Sequence, residues 1–303
     1  MATHKHSQET DSSEDPGTVI IRPHVVAIID FLGQSIELAK WESVPKSPHD
    51  QEQFEEAIRN SFGRIHAWRM EFERIFTLWL RNQHPPKEVV AELPNRGETL
   101  LKFQDSSLGF MRFSDTIVVY TPLENQHGYF NAGGTCGFLV VCGTLMLSAL
   151  FQKTVFRGAI DIGMAGRFPD ADLYGPVLAN AHQLESKVAQ YPRIVVGQEV
   201  LKYLQFHVDN PENDGPARAN HVTAARCLRM LSQDSDGSWI IDYLNDDAFA
   251  SPRSDESGRR KLKDGAAKFV NDELERFKSE GNDTLVERYE CLVAYFRRSG
   301  AGS

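Results

Sequence analysis

Apolar and polar positions follow one another along this chain in blocks that differ in period. A nearly continuous apolar run, VVAIID, extends from Val25 to Asp30 and leads to a turn at Gly33, which predicts a buried strand followed by a loop. Between residues 50 and 81, large apolar side chains recur every three or four positions, which predicts one long amphipathic helix. These side chains are Phe54, Ile58, Phe62, Ile65, Trp68, Phe72, Ile75 and Trp79.

The segment 108–122, LGFMRFSDTIVVYTP, is rich in strand-forming residues but contains an acid near its middle. It is too long for a usual strand, so we predict a hairpin with strands 108–113 and 116–122. The two-residue turn is then Ser114-Asp115, where an aspartate is chemically sensible. The carboxylate therefore need not be buried without a partner.

The remaining pattern predicts an α+β fold in which helices cover one sheet. We expect helices at 134–152 and 176–190 and strands at 154–163 and 192–197, followed by a helix at 219–232, a strand at 237–244 and helices near 260–279 and 283–298. We divide the chain into a disordered polar tail (1–17), a main domain (18–245, including the helix at about 50–82) and a linker with two C-terminal helices (246–303).

Composition narrows the possible partners. The formal charge of −9 leaves no broad basic surface, which argues against nonspecific binding of nucleic acid. The most apolar window, 137–151, has only 15 residues, which is short for a membrane span. The four cysteines have no CxxC spacing, and the amino terminus lacks the apolar run of a secretory signal. We therefore expect a cytoplasmic protein with reduced thiols and no membrane segment.

Two carboxylates stand out as candidates for chemistry: Asp30, at the end of a buried strand, and Asp115, in the hairpin turn. Each taken singly is more often structural than functional. If the two segments are neighbours in the sheet, the pair makes an oxygen-rich site for two divalent ions, Mg²⁺ or Mn²⁺. The backbone of the loop after Asp30 would present N–H groups to phosphates. The loop residues considered are Phe31, Leu32, Gly33 and Gln34.

A third segment, 157–196, gives these residues a context. It contains RGAIDIG, YGPVLANAHQLE and YPRIVV. The motifs IIDFLG and FSD precede it in the chain, in that order. Together these motifs resemble class III nucleotidyl cyclases over roughly residues 18 to 200, and in detail the pyrimidine cyclases of bacterial Pycsar antiphage systems. The resemblance implies a cyclase sheet covered by helices, with an added long helix and a C-terminal helical extension. It also implies a homodimer whose active sites lie between subunits.

The resemblance further implies an activity and a set of site residues. UTP, or less favoured CTP, would be cyclised to the 3′,5′-cyclic monophosphate, an alarm signal for a cyclic-nucleotide-binding effector. Asp30 and Asp115 match the two metal-binding aspartates, and Arg157 matches an arginine near the triphosphate. Two divalent ions held there would lower the pKa of the ribose 3′-hydroxyl and neutralise charge on the departing pyrophosphate.

Several positions depart from the purine enzymes. Met111 replaces a base-reading lysine and has no hydrogen-bond donor, which weakens an assignment to ATP or GTP. Asp172 and Arg112 are the candidates for base contacts. The helix positions that usually carry Asn and Arg are Ala179 and Gln183, and Asn180 is one residue out of register. Two alternatives stay open: a catalytically weak or inactive cyclase-homology module that binds nucleotide or dimerises, and a purine cyclase with altered base recognition.

Overall fold

The structure, a computed structural model, describes residues 19–33, 44–82, 108–124, 130, 132–167, 172–211, 215–249 and 256–300. The tail 1–17, residue Gln34 and most of the expected linker lie outside the described residues. Within them, seven strands form one sheet: β1 (Ile20–Phe31), β2 (Gly109–Phe113), β3 (Thr116–Pro122), β4 (Phe156–Arg167), β5 (Ile194–Val196), β6 (Leu231–Gln233) and β7 (Trp239–Ile241). The strand order is β2-β3-β1-β4-β5-β7-β6, and every neighbouring pair is antiparallel except β4 and β5.

Helices surround this sheet. In chain order they are α1 (Pro48–Asn82), α2 (Ala132–Phe151), α3 (Pro176–Gln183), α4 (Gln198–Asp209), α5 (Gly215–Leu228), α6 (Asp246–Phe249), α7 (Glu256–Glu280) and α8 (Asp283–Arg298). A π-helical turn, Leu184–Val188, continues α3. The amide of the residue that follows it, Ala189, donates to the carbonyl of Leu184 at 2.9 Å. The α+β class expected from the sequence is confirmed at this level.

The sheet has two unequal faces. On one face, alternate residues of β1 such as Ala27 and Ile29 belong to a large core, to which α1, α2, α4, α5, α7 and α8 also contribute. On the other face, Val26 and Ile28 pack with Val177 of α3 in a much smaller cluster. We call this second side the α3 face. Because side chains alternate along a strand, Asp30 is on the α3 face and Phe31 points into the large core.

Most predicted elements are confirmed, with shifted ends. The long helix is α1, the hairpin divides at Ser114-Asp115 as expected, and the C-terminal helices are α7 and α8. Helix α4 was missed, and the strand expected at 237–244 is only β7, paired with a separate strand β6. Residues 231 and 232, expected at the end of a helix, belong to β6. Three-residue strands carry too few positions to show a period.

Helix α2 is the one helix within the described residues that is long and apolar enough to cross a membrane. However, 78% of its most apolar window is buried inside the fold. It lies between the sheet and helices α1, α5 and α7. Helix α2 is thus a buried core helix of this fold.

Candidate functional site

Asp30 is held at the end of β1 by the two strands that flank it. The antiparallel registers place it opposite Thr116 of β3 and Arg157 of β4, so all three side chains leave the same face. The Thr116 hydroxyl donates to Asp30 Oδ1 at 3.2 Å, and Arg157 Nε donates to Oδ2 at 3.3 Å. The side chains of Asp30 and Arg157 are 18% and 20% exposed, so the pair borders solvent without being free in it.

A second carboxylate, Glu185, also contacts Arg157. Its Oε1 lies 2.7 Å from Arg157 Nε, and His182 Nδ1 lies 3.5 Å from the other oxygen. The single Nε–H is aimed at Asp30, so the contact with Glu185 is an ion pair without a hydrogen bond to Oε1. Glu185 belongs to the π-helical turn and is almost fully buried. Burial raises the pKa of its carboxyl, Arg157 opposes that effect, and the charge of Asp30 adds to it.

The hairpin turn lies at the same end of the sheet. Ser114 adopts a positive φ of 55°, and the carbonyl of Asp115 accepts the Phe31 amide at 3.2 Å. Asp30, on β1, and Asp115, in the turn before the neighbouring strand β3, therefore lie at one end of the sheet, which is the arrangement that a two-aspartate site requires. The Asp115 side chain is half-buried, and within the described residues nothing donates a hydrogen bond to it.

The amides expected to cradle a triphosphate are partly used by the fold itself. Phe31 donates to Asp115, and Leu32 donates to the carbonyl of Val155 at 2.9 Å. The Phe31 ring is buried in the large core. The expectation of a phosphate cradle is therefore wrong for the amides of Phe31 and Leu32, because backbone pairing consumes both donors. Gly33 adopts a φ of 86°, and Gln34 lies outside the described residues.

Within one chain, neither candidate base contact reaches the Asp30 side chain, because Asp172 lies near the far end of β4 and Arg112 is on the other face of the sheet. Asp172 is exposed and lies two residues before Tyr174, which pairs with Gly166 near the end of β4. Gly166 is nine positions along β4 from Arg157, which corresponds to about 30 Å at about 3.3 Å per residue. Arg112 is on the opposite face from Asp30, with its guanidinium 5.4 Å from the Phe62 ring of α1. The structure does not bring either residue to Asp30.

Helix α3 places the remaining candidates beside a cleft. Asn180 and Gln183 line a cleft of about 370 Å³, together with Asp161 of β4. Asp161 is buried, and its Oδ1 has no hydrogen-bond partner. Burial and the nearby Glu199 raise the pKa of its carboxyl. Asn180 therefore lines a cleft that also contains Asp161, four positions along β4 from Arg157.

Sequence reasoning missed Glu185, Thr116 and Asp161. Glu185 had a usable signal, because it is the acid that closes the motif YGPVLANAHQLE. Thr116 follows the turn aspartate directly, so the hairpin register alone would have placed it across from Asp30. Asp161, inside an apolar strand, had only its own charge as a signal.

Asp30 and Asp115 are the candidate ligands for a divalent ion. Within the described ranges, no group of three or more His, Cys, Asp or Glu side chains could enclose a metal. A two-aspartate site fits Mg²⁺ or Mn²⁺ nevertheless, since such ions are often bound by one or two carboxylates with water and substrate phosphates completing the shell. Asp115 has its carboxylate available, whereas Asp30 shares its oxygens with Thr116 and Arg157.

Comparison with known proteins adds no assignment to this geometry. No protein-family model, no curated protein and no solved structure matches the chain.

Proposed function

We propose that this protein is a metal-dependent nucleotidyl cyclase that converts UTP, in preference to CTP, to the 3′,5′-cyclic monophosphate and pyrophosphate. We further propose a class III cyclase fold, a cytoplasmic location, and a product that signals to a cyclic-nucleotide-binding effector in antiphage defence. The observation that carries the proposal is the junction of Asp30, Arg157 and the Asp115 turn. Three segments distant in sequence supply these groups to one sheet end.

The charges at this junction suit the reaction. In cyclisation the ribose 3′-oxygen loses its proton and bonds to the α-phosphorus, and the bond from that phosphorus to pyrophosphate breaks. Asp30 and Asp115 would hold the ions, whose positive charge would favour the 3′-alkoxide and the leaving pyrophosphate. Among the described residues, Arg157 donates a side-chain hydrogen bond only through Nε. Its two terminal nitrogens therefore remain for triphosphate oxygens.

The separation within one chain supports a homodimer. Asp172 is two residues from Tyr174, which pairs with Gly166 at the other end of β4, about 30 Å from Arg157. One subunit therefore does not present both side chains to one nucleotide. A two-fold partner could bring its Asp172 end to the first subunit's Asp30 end. Met111 packs on the α3 face beside the same small cluster and offers no hydrogen bond to a base, which supports a pyrimidine rather than a purine substrate.

Two observations favour a second candidate, a nucleotide-binding or dimerisation module without turnover. The carboxylate of Asp30 is already neutralised by Arg157, and Ala179 and Gln183 occupy the positions where cyclases usually carry Asn and Arg. An ion would have to compete with a guanidinium for Asp30. The cyclase remains our proposal, because Arg157 can stay paired with a second carboxylate, Glu185, when Asp30 binds an ion.

The deciding experiment is incubation of the purified protein with Mn²⁺ and each of the four ribonucleoside triphosphates, followed by mass spectrometry for cyclic mononucleotides and a pyrophosphate assay. We expect cyclic UMP, with less cyclic CMP. Product from ATP or GTP alone would contradict the pyrimidine assignment. Nucleotide binding with no product from any of the four would favour the module.

Two aspartate variants test the site. Asp30→Asn and Asp115→Asn should each abolish turnover while far-UV circular dichroism stays unchanged. Asp264→Asn is a matched control, because Asp264 is an exposed aspartate on α7 whose Oδ2 is 3.9 Å from Arg260. Full activity in either site variant would show that the metal assignment is wrong.

A further inference from the structure

The α3 face carries a second polar group at the opposite end from Asp30. A cavity of about 130 Å³ lies there, and its polar wall consists of Arg22, His24, Tyr120 and Arg167. Arg22 and Asp30 are both on β1, eight residues apart, which corresponds to about 27 Å at about 3.4 Å per residue. Within one chain the cavity is therefore separate from the junction of Asp30, Arg157 and Asp115.

Strand register builds this cavity. Arg22 and His24 are on the same face of β1. Arg167, on β4, is opposite Ile20 of β1, and Tyr120 comes from β3. The ring of Tyr120 lies across the backbone of Gly109 on β2, where any Cβ would collide with the ring. Glycine at 109 therefore allows the Tyr120 hydroxyl to reach the cavity wall. Apolar residues and backbone form the rest of the wall.

In the part of the chain that the structure describes, the wall holds hydrogen-bond donors and positive charge but no carboxylate. Within the described residues, the Arg22 guanidinium has no acidic partner. His24 is 3% exposed, and its Nδ1–H donates to the Arg22 carbonyl at 2.9 Å. Burial, together with the charges of Arg22 and Arg167, lowers the pKa of His24 to about 4, so the ring is neutral at pH 7. A positive cavity of this kind stands out in a chain of net charge −9.

We propose that this cavity binds one phosphate group. Its volume corresponds to about four water molecules at about 30 Å³ each, and it is below the roughly 300 Å³ at which pockets for drug-sized ligands begin. Arginine matches phosphate geometry with two parallel N–H donors, and a tyrosine hydroxyl adds a third. The phosphate belongs either to a free ion, such as inorganic phosphate or pyrophosphate, or to the terminal group of a nucleotide whose remainder lies outside the cavity.

The inference does not require the proposed cyclase activity, and binding measurements test it directly. Titration of the full-length protein with inorganic phosphate, pyrophosphate and UTP by isothermal calorimetry, without divalent ions, should show saturable binding of at least one. Acetate at equal ionic strength should not bind. Arg22→Met should weaken binding at least tenfold, and Tyr120→Phe should weaken it several-fold while keeping the ring on Gly109. Arg260→Met, an exposed arginine on α7, is the matched control and should bind as wild type.

A second readout reports on the cavity itself. A phosphate beside His24 stabilises the imidazolium, so the NMR titration midpoint of this ring should rise from about 4 when phosphate is bound. Binding of inorganic phosphate or pyrophosphate would identify a free ion as the source, and binding of UTP alone would identify a nucleotide. No binding of any of the three, or equal binding by wild type and a folded Arg22→Met, would overturn the proposal. If Arg22→Met does not fold, Tyr120→Phe with the His24 titration decides.

Discussion

Removal of Arg157 is the most informative perturbation of the candidate site. Arg157→Met would leave Glu185 buried and charged, with Asp30 as a neighbour of the same sign. Loss of one partner of a buried ion pair costs about 3–5 kcal/mol. Asp30 keeps 18% of its side chain exposed and can regain water, so we expect the low end, about 3 kcal/mol, in the free energy of unfolding.

The charge balance also sets the pH dependence of this loss. The pKa of Glu185 is already raised in the folded protein, and without the guanidinium it rises further. A carboxyl whose pKa is raised on folding stabilises the fold below its unfolded pKa, and this contribution is lost as pH rises through the folded pKa. The destabilisation of Arg157→Met should therefore be larger at pH 8 than at pH 5.

The assay is urea unfolding followed by fluorescence of the buried Trp68 and Trp79. Glu185→Gln alone should change stability by less than about 1 kcal/mol, since it removes both the attraction to Arg157 and the burial of a charge. The double variant, with both Arg157→Met and Glu185→Gln, should recover about 1–2 kcal/mol of the stability lost in Arg157→Met. Arg260→Met, with its side chain 85% exposed, should have no measurable effect. A double variant no more stable than Arg157→Met would refute the reasoning.

Three further predictions concern the α3 face and its neighbours, each measured by urea unfolding. Gly109→Ala should cost about 1–3 kcal/mol because its Cβ meets the Tyr120 ring, and it should cost less in a Tyr120→Leu background; equal costs would contradict this. His24 has a depressed pKa, so wild type should lose up to about 3 kcal/mol as pH falls from 6.5 to 4, and a His24→Gln variant with the same pH dependence would show the assignment to be wrong. Asp161→Asn should raise the free energy of unfolding by about 1 kcal/mol at pH 8 and by less at pH 5, since it removes a buried charge with an unpartnered oxygen. No gain at pH 8 would show that burial of the Asp161 charge does not destabilise the fold.

Local signals in the sequence were sufficient for the elements that carry Asp30 and Asp115. Turn chemistry and strand length predicted the break at Ser114-Asp115, and a continuous apolar run predicted β1. Helix α4 was missed although Val200, Leu204 and Val208 recur every four residues, a period that could have revealed it.

The contacts within the site could not be predicted in the same way. The pairing of Asp30 with Arg157 depends on a register between strands 127 residues apart in sequence, which no local period encodes. The contact of Glu185 with Arg157 also requires a π-helical turn, a rare geometry with no reliable sequence pattern. Long-range register and one irregular turn therefore account for the missed part of the site.

The π-helical turn has a consequence for how this segment can evolve. Each residue added to or removed from α3 would rotate everything after it by about 100° around the helix axis. Glu185 would then leave Arg157 and become exposed, while the exposed side chains of α3 could be exchanged freely without moving it. Selection on this segment would therefore preserve its length more strictly than the identity of its exposed residues, and natural variants should differ here by substitution and not by insertion or deletion.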